Sequence, residues 1–262
     1  MRFDVLTLFP ELFAPLLTSG ITRRAYSANG EGGAIDVQLH NPRDHAQGNY
    51  RRVDDRPFGG GPGMVMMAEP LAQSLGAAQS AREAAGCSRG PVLLFSPLGR
   101  TLNHSEVERW AASEGAVLVC GRYEGLDQRF IDTHVDEQIS LGDFVLSGGE
   151  IAAMALLDAV ARLQPGVLGD AESHVQDSFN PALDGLLDCP HYTRPEKWAS
   201  QATGQELGVP EVLLSGNHAR IERWRREQRL ALTARLRPDL LEQARRAGRL
   251  SRQDESFLSG LL

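Results

Sequence analysis

The amino-acid sequence predicts an α/β domain with a mainly parallel sheet, followed by a small helical domain. Short apolar runs typical of buried strands alternate with longer segments of helical periodicity, and this alternation favours parallel strands covered by helices on both faces. The pattern then changes to an acidic segment and, beyond it, to a basic helix. We therefore predict a first domain over residues 1–165, an interdomain linker over 166–184 and a second domain over 185–262.

The first half of the chain predicts two strands and two helices. Residues 3–9 (FDVLTLF) have the composition of a buried strand, and a helix follows between Pro10 and Gly20, which suit a helix start and a helix end. A second strand is predicted over 34–40 and an alanine-rich helix over 67–86. The polar, glycine-rich segment between these two elements is expected to be a loop.

The middle of the chain continues the alternation. Residues 91–95 and 116–120 are apolar runs typical of strands, and Asn103 with Glu106 has the spacing of a capping box that opens a helix. One or two short strands are expected within 138–146. These elements extend the predicted parallel sheet.

The strongest helical pattern covers residues 148–163 and stops before Pro165. The acidic segment after it, with glycine and proline, is typical of a linker. A basic helix over 217–237 ends before Pro238, and two short helices follow it. Four apolar residues of the basic helix are expected to be buried: Ile221, Trp224, Leu230 and Leu232.

Composition excludes several classes of protein. The 262 residues are 42% hydrophobic, enough for a large core, and no apolar run reaches the length of a membrane span. The first residues include Asp4 and Glu11 and lack the layout of a signal peptide. Three widely spaced cysteines indicate neither a disulfide framework nor a metal site. A protein of the cytoplasm, with no membrane partner, is expected.

Charge is distributed unevenly along the chain. The net charge is −7, which argues against a surface that coats nucleic acid uniformly. Residues 217–249, however, hold ten arginines against four acidic residues, a local net charge of +6. This asymmetry indicates contact with a polyanion. The alternative is that these arginines are ordinary solvated side chains of helices.

Three glycine-rich strings point to a ligand held by main-chain groups. They are DDRPFGGGPGM (54–64), GRYEG (121–125) and LGDFVLSGGE (141–150). Glycine allows backbone N–H and C=O groups to approach a flat ligand closely. The sequence contains no GxGxxG, GxxxxGK[ST] or HExxH motif, which excludes the usual Rossmann, P-loop and zinc-protease sites. A nucleotide-like ligand in an unusual set of loops is therefore expected.

Eight strings in a fixed order carry a resemblance that extends over almost the whole chain. They are LFPELF (8–13), VDDRPFGGGPGM (53–64), LVCGRYEGLDQR (118–129), GDFVLSGGE (142–150), PGVLG (165–169), DSF (177–179), LLDCPHYTRP (186–195) and VLLSGNHARIERWR (212–225). With them the chain resembles the bacterial tRNA (guanine-N1)-methyltransferases, members of the SPOUT class.

The resemblance implies a fold, a reaction and partners. The fold is a sheet with a deep trefoil knot, an arrangement otherwise almost absent from proteins. The reaction is transfer of a methyl group from S-adenosylmethionine to N1 of the guanosine at tRNA position 37, directly 3′ to the anticodon, which prevents frameshifting. The implied partners are tRNA and a second copy of the chain, in a homodimer whose active sites lie at the subunit interface. Mg²⁺ is a possible further cofactor.

The resemblance also implies which residues form the site. Asp177 aligns with the general base, and a carboxylate suits removal of the guanine N1 proton. Arg162 aligns with a catalytic arginine whose cation stabilises negative charge on guanine O6. The methyl donor is expected in the knotted loops, at Ser96, Pro97, Gly99, Gly121, Tyr123, Glu124, Gly125, Leu141, Gly142, Asp143, Phe144, Val145, Leu146, Gly148 and Gly149.

Some assignments have weaker support in the residues themselves. Glu124 is expected to bind substrate or Mg²⁺, and Asp54 is expected near the RNA-facing mouth. Without the resemblance, Asp177 is one of five acidic residues in the acidic segment 164–191, and Arg162 is an arginine favoured at a helix C-terminus. The residues present argue against two rival functions. One is a non-catalytic RNA-binding protein, and the other is a SPOUT methyltransferase acting on rRNA or on a ribose 2′-oxygen.

Three departures from the family pattern concern local structure. The aromatic residue of the GD[YF]VL string is Phe144, which has no hydroxyl group. Residue 152 is alanine where many relatives have proline, which alters the helix entry more than the chemistry. The segment 196–211 is longer than the usual connection, so its role is left open.

Overall fold

The computed structural model describes residues 1–26, 32–170 and 174–261. The chain divides into two compact units, with the boundary after Asp170. Residues 171–173 of the predicted linker and residue 262 of the predicted second domain lie outside the described residues.

The first unit is built on a five-stranded sheet. In chain order the strands of this unit are β1 (Arg2–Leu6), β2 (Asp36–His40), β3 (Asp54–Asp55), β4 (Val65–Met66), β5 (Val92–Thr101), β6 (Val117–Val119) and β7 (Glu137–Ser140). The short β3 and β4 form a separate antiparallel pair. The other five form a sheet in the order β2-β1-β6-β5-β7, and each pairing is parallel. The predicted parallel sheet is confirmed.

Helices and short 3-10 turns connect these strands. The helices are α1 (Ala14–Thr18), α2 (Ala68–Ala84), α3 (His104–Ala111), α4 (Gln128–His134) and α5 (Glu150–Arg162), and the 3-10 turns are Pro10–Phe13, Thr22–Ala25 and Pro42–His45. The Asn103 side chain accepts a hydrogen bond from the Glu106 N–H at 3.1 Å, so the predicted helix start is correct. Asp127 caps α4 in the same way, accepting from the Arg129 N–H at 2.9 Å.

Alternate side chains of the sheet enter two different cores, as the period of two in a strand requires. One core joins Phe3, Val5, Leu93 and Phe95 to the apolar face of α5. The other joins Val92, Leu94, Val117 and Val119 to α2 and α4. The sheet is therefore covered on both faces, and this packing holds the ends of its strands in place.

Two predicted elements differ from the structure. The helix expected between Pro10 and Gly20 is a 3-10 turn followed by the five-residue α1, whose first turn contains Pro15. The strand expected to end at residue 95 continues to Thr101, because the chain pairs with β7 again after an irregularity between Phe95 and Arg100. Ser96, Pro97 and Gly99, expected in a loop, therefore lie within β5.

The second unit is mainly helical. Its elements are a 3-10 turn (Pro181–Leu183), the antiparallel strands β8 (Lys197–Ala199) and β9 (Glu206–Gly208), and the helices α6 (Glu211–Leu214), α7 (His218–Leu236), α8 (Pro238–Arg246) and α9 (Arg252–Ser259). Its core contains Leu186, Leu230, Leu241, Ala244 and Leu258. The predicted basic helix and the two helices after it are present.

The buried face of α7 differs from the prediction. Leu230 is fully buried, as expected, but Ile221, Trp224 and Leu232 are only partly buried. Arg229 and Thr233, one turn apart, are buried instead. The Thr233 hydroxyl oxygen accepts the Leu187 N–H at 3.0 Å, and Arg229 donates to Asp188 at 3.3 Å. Polar contacts with the preceding segment therefore orient this helix.

Within the described ranges, no helix combines the length and the apolar character needed to cross a membrane.

Candidate functional site

A cavity of about 450 Å³ opens in the first unit where β5, β6 and β7 end or bend. Its walls come from the middle of β5, the segment after β6, and the end of β7 with the segment between β7 and α5. In parallel α/β sheets, ligands bind outside the carboxyl ends of the strands. The cavity has this position.

Most of the donor residues expected from the sequence lie around this cavity. Those in its lining are Ser96, Pro97, Gly121, Tyr123, Glu124, Gly125, Leu141, Phe144, Val145, Leu146, Gly148 and Gly149. Gly99, Gly142 and Asp143 are outside that lining. Gly99 instead faces the backbone of Ile139, where any Cβ would collide, so it allows β5 to approach β7. Gly142 has φ 151°, and Asp143 is exposed.

Glycine is required where the loops meet. A Cβ added to Gly149 would lie 2.8 Å from the Cα of Cys120, closer than real Cβ atoms come to backbone. The Gly149 N–H donates to the carbonyl oxygen of Gly121 at 3.0 Å. Gly125 has φ 135°, a conformation that side chains disfavour. These positions hold the GRYEG and GGE strings in direct contact.

Tyr123 lies in this loop with an unusual backbone conformation. Its φ of 60° is in the left-handed region, which is uncommon for an aromatic residue. Tyr123 is 46% exposed, and its hydroxyl oxygen lies 3.5 Å from a guanidinium nitrogen of Arg43. Strained residues of this kind are concentrated at ligand sites, where the surrounding structure holds them in place.

A buried ion pair, not anticipated from the sequence, joins two walls of the cavity. Glu150, the first residue of α5, is 1% exposed. Its Oε1 accepts from the Thr7 hydroxyl at 2.9 Å and from Arg122 Nε at 3.1 Å. Arg122 also donates to the Ser147 carbonyl oxygen at 3.2 Å and lies over the Phe9 ring, 4.4 Å from its centroid. Both charged residues are inside the glycine-rich strings. Their position there is the feature of the sequence that could have indicated the pair.

The two catalytic candidates lie in different units. Arg162 is the last residue of α5 in the first unit, and its side chain is partly buried. Asp177 is in the second unit, also partly buried, and its carbonyl oxygen accepts the Asn180 N–H at 3.3 Å in a tight turn.

Most arginines of the basic segment 217–249 have carboxylate partners within the second unit. Seven of the ten form ion pairs with acidic residues: Arg223, Arg225, Arg226, Arg229, Arg237, Arg245 and Arg246. In the described part of the chain, Arg220, Arg235 and Arg249 have no such partner. The charge available to a polyanion is therefore smaller than the residue count indicates.

Comparison with known proteins agrees with the resemblance. The family model described as tRNA (guanine-1)-methyltransferase TrmD matches residues 1–243. The tRNA (guanine-N(1)-)-methyltransferase of Albidiferax ferrireducens is 74% identical over 259 residues, which cover 99% of each chain. The proteins of the same name from Polaromonas sp. and Paracidovorax citrulli are 70% and 69% identical over 261 residues, which cover all of this chain and 97% and 98% of theirs.

The family inferred from the eight strings is thus confirmed. These matches extend over nearly the full length and include the segments that enclose the cavity. The chain accordingly belongs to the tRNA (guanine-1)-methyltransferase family.

Proposed function

We propose that this methyltransferase binds S-adenosylmethionine in the cavity of the first unit and methylates N1 of the guanosine directly 3′ to the anticodon of tRNA. The observation that carries the proposal is the cavity itself. Its walls contain the loops that the family resemblance assigns to the donor, brought together from three separate segments of the chain.

The dimensions and lining of the cavity fit the donor. A volume of about 450 Å³ is within the range of about 300–1,000 Å³ common for small-molecule sites. Backbone groups beside Gly121 and Gly148 suit the hydrogen-bonding edge of adenine, and Leu141 with Leu146 offers apolar cover for its faces. Glu124 adds a carboxylate, which suits a cationic sulfonium group.

The chemistry needs one proton acceptor and one source of positive charge. The donor supplies an electrophilic methyl group; the bond from carbon to guanine N1 forms as the bond to sulfur breaks. Guanine N1 carries a proton at neutral pH, and we assign its removal to the Asp177 carboxylate. Arg162 would stabilise the negative charge that develops on guanine O6. The proton thus leaves N1 for a side chain, without free hydroxide.

We assign no step of the reaction to Mg²⁺. A Mg²⁺ ion is usually held by one or two carboxylates with waters and substrate oxygens. Among the residues that the structure describes, no group of three His, Cys, Asp or Glu side chains is arranged to hold a metal. Glu124 by itself is a possible point of attachment when substrate is present.

We propose, in addition, the domain organisation and assembly that the family implies. Each chain comprises a first domain with a trefoil knot (1–165), a linker (166–184) and a tRNA-binding second domain (185–262). Two chains form a cytoplasmic homodimer with shared active sites. Arg220, Arg235 and Arg249 have no carboxylate partner among the described residues, which supports a role for the second unit in binding phosphate groups.

Nucleoside analysis tests the reaction directly. The full-length protein is incubated with unmodified tRNA and with S-adenosylmethionine labelled in its methyl group, and the tRNA is digested to nucleosides. We expect label in N1-methylguanosine, and none when the transcript has adenosine in place of the target guanosine. Label in a different base, or in a ribose, would contradict the proposal.

A further inference from the structure

The turn that contains Asp177 has an aromatic residue where a glycine is usual. The Asn180 N–H donates to the Asp177 carbonyl oxygen at 3.3 Å, so residues 177–180 form a four-residue β-turn. Its third residue, Phe179, has φ 72°. Turns with a positive φ at this position normally place glycine there, and a bulky residue is an outlier. The chain therefore keeps an aromatic ring here against its backbone preference.

Hydrogen bonds on both sides hold the turn in place. The Phe179 N–H donates to the Leu186 carbonyl oxygen at 2.9 Å. The Ser178 hydroxyl oxygen accepts the Asp188 N–H at 2.9 Å, and the Asn180 side chain donates to the His174 carbonyl oxygen at 3.0 Å. Strained conformations persist where the surrounding structure determines them, and they are concentrated at functional sites.

The ring that this turn presents is open to a partner. Phe179 is 43% exposed, although the buried Leu186 and Leu230 form an apolar core in the same unit. The guanidinium of Arg237 lies 5.9 Å from the ring centroid. Arg237 is held by Asp239 through two hydrogen bonds, at 2.7 and 2.9 Å. An exposed aromatic ring beside an arginine is a typical platform for stacking an unpaired RNA base.

We propose that Phe179 binds the substrate by stacking on the target guanine. The inference rests on the proposed function, in which Asp177 of the same turn accepts the N1 proton. A carboxylate such as that of Asp177 binds the edge of a base, whereas the ring of Phe179, two residues away, can stack on the face of the same base. One rigid turn would thus fix both the in-plane position and the tilt of the guanine, which proton transfer requires.

The test uses the full-length protein and three variants of position 179. Phe179→Gly removes the ring but suits φ 72°, so its melting temperature should equal or exceed that of the wild type. Loss of a single base–aromatic stack should lower its kcat/KM for tRNA by about 10- to 100-fold. Phe179→Tyr keeps the ring and should retain activity, whereas Phe179→Leu keeps apolar bulk without the ring and should not. Titration with S-adenosylmethionine should give the same affinity in all four proteins.

A tRNA that lacks the target base identifies the contact. Wild type and Phe179→Gly should bind a transcript with an abasic site at the target position equally well, since neither can stack on an absent base. Normal methylation by Phe179→Gly, or a binding defect that persists with the abasic transcript, would overturn the inference. A lowered melting temperature in Phe179→Gly with no rescue by Phe179→Tyr would also overturn it. Wild-type protein that forms no N1-methylguanosine would refute the proposed function instead.

Discussion

Glu150 shows how one residue can organise a binding site without touching the reacting atoms. A buried carboxylate is costly unless it is paired, and removing its partner leaves an uncompensated charge. Glu150 has Arg122 and Thr7 as partners. Arg122 lies in the segment after β6, and it binds both Glu150 at the start of α5 and the carbonyl oxygen of Ser147 just before α5. The ion pair therefore holds together two walls of the cavity.

Replacing this carboxylate should weaken donor binding. Glu150→Gln keeps the size of the side chain but loses a charge-assisted hydrogen bond, whose contribution is about 1.5–3 kcal/mol. Part of this loss will appear as lower stability, and we expect affinity for S-adenosylmethionine to fall by about five- to tenfold. Calorimetric titration measures this, with the exposed Glu83→Gln as the control. Unchanged affinity would show that Arg122 keeps its position without Glu150.

Asp177 has a different role, and its substitution should affect a different step. Asp177→Asn preserves shape but provides an amide, which cannot accept the N1 proton. Methyl transfer in a single turnover should fall by at least about 100-fold, the usual contribution of a general base. Affinity for S-adenosylmethionine should not change. Rapid-quench kinetics beside donor titration separates the two effects, and near-normal rates would exclude Asp177 as the base.

The helices with a clear hydrophobic periodicity were predictable from the sequence. Elements whose bounds depend on contacts between residues distant in the sequence were not. The helices α2, α5 and α7 follow from their sequence patterns within about two residues of their ends. α4 was missed because seven residues with few apolar positions show no period, although Asp127 marked its start. The continuation of β5 depends on pairing with β7, which no local pattern reveals.

The same distinction applies to the candidate site. The glycine-rich strings indicated the loops around the cavity because glycine marks close approach of backbone. The Arg122–Glu150 pair was not predicted, since its members are 28 residues apart and meet only in the folded chain. Gly99 allows β5 to lie close to the backbone of β7, and its expected contact with the donor stays a prediction.

The start of α9 gives a test of stability at the level of one element. Asp254 completes a capping box with Ser251 and accepts from Arg226 at 3.1 Å. Burial alone would raise the pKa of Asp254, but the hydrogen bonds from Arg226 and Ser251 lower it to about 2. Since an unfolded Asp titrates at about 3.9, the charged form contributes about 2–3 kcal/mol to folding at neutral pH.

This contribution should disappear as the pH falls from about 4 towards about 2. Asp254→Asn should lower the free energy of unfolding by about 2–3 kcal/mol at pH 7 and flatten its pH dependence in that interval. Urea unfolding, followed by tryptophan fluorescence, measures both. The exposed Asp239→Asn serves as the control and should change stability little. A parallel pH dependence in Asp254→Asn and the wild type would contradict this assignment.

For the whole molecule, the central question is whether one chain completes its own active site. Asp177 and the donor cavity belong to different units, so either arrangement is compatible with the covalent chain. The family resemblance favours sites shared across a two-fold axis, in which each partner contributes one part.

Mixing two inactive variants distinguishes the arrangements. Asp177→Asn lacks the proton acceptor, and Ser96→Trp fills the donor cavity, whose wall includes Ser96. If sites are shared, a mixed dimer contains one site with an intact cavity and an intact Asp177, so activity should return after subunit exchange. If each chain is self-sufficient, every site keeps a defect. Inactivity in mixed dimers identified by native mass spectrometry would exclude shared sites.

The strand order of the sheet also has a consequence for synthesis on the ribosome. β1 is made first, yet one of its edges pairs with β6, which begins about 110 residues later. At about 5–20 residues per second, roughly 6 to 20 seconds pass before β6 emerges. During this time the nascent β1 and β2 expose an unpaired edge that other strands can join. The first strand to be made is thus among the last to be enclosed, and nascent chains should need protection from aggregation most before residue 119 emerges.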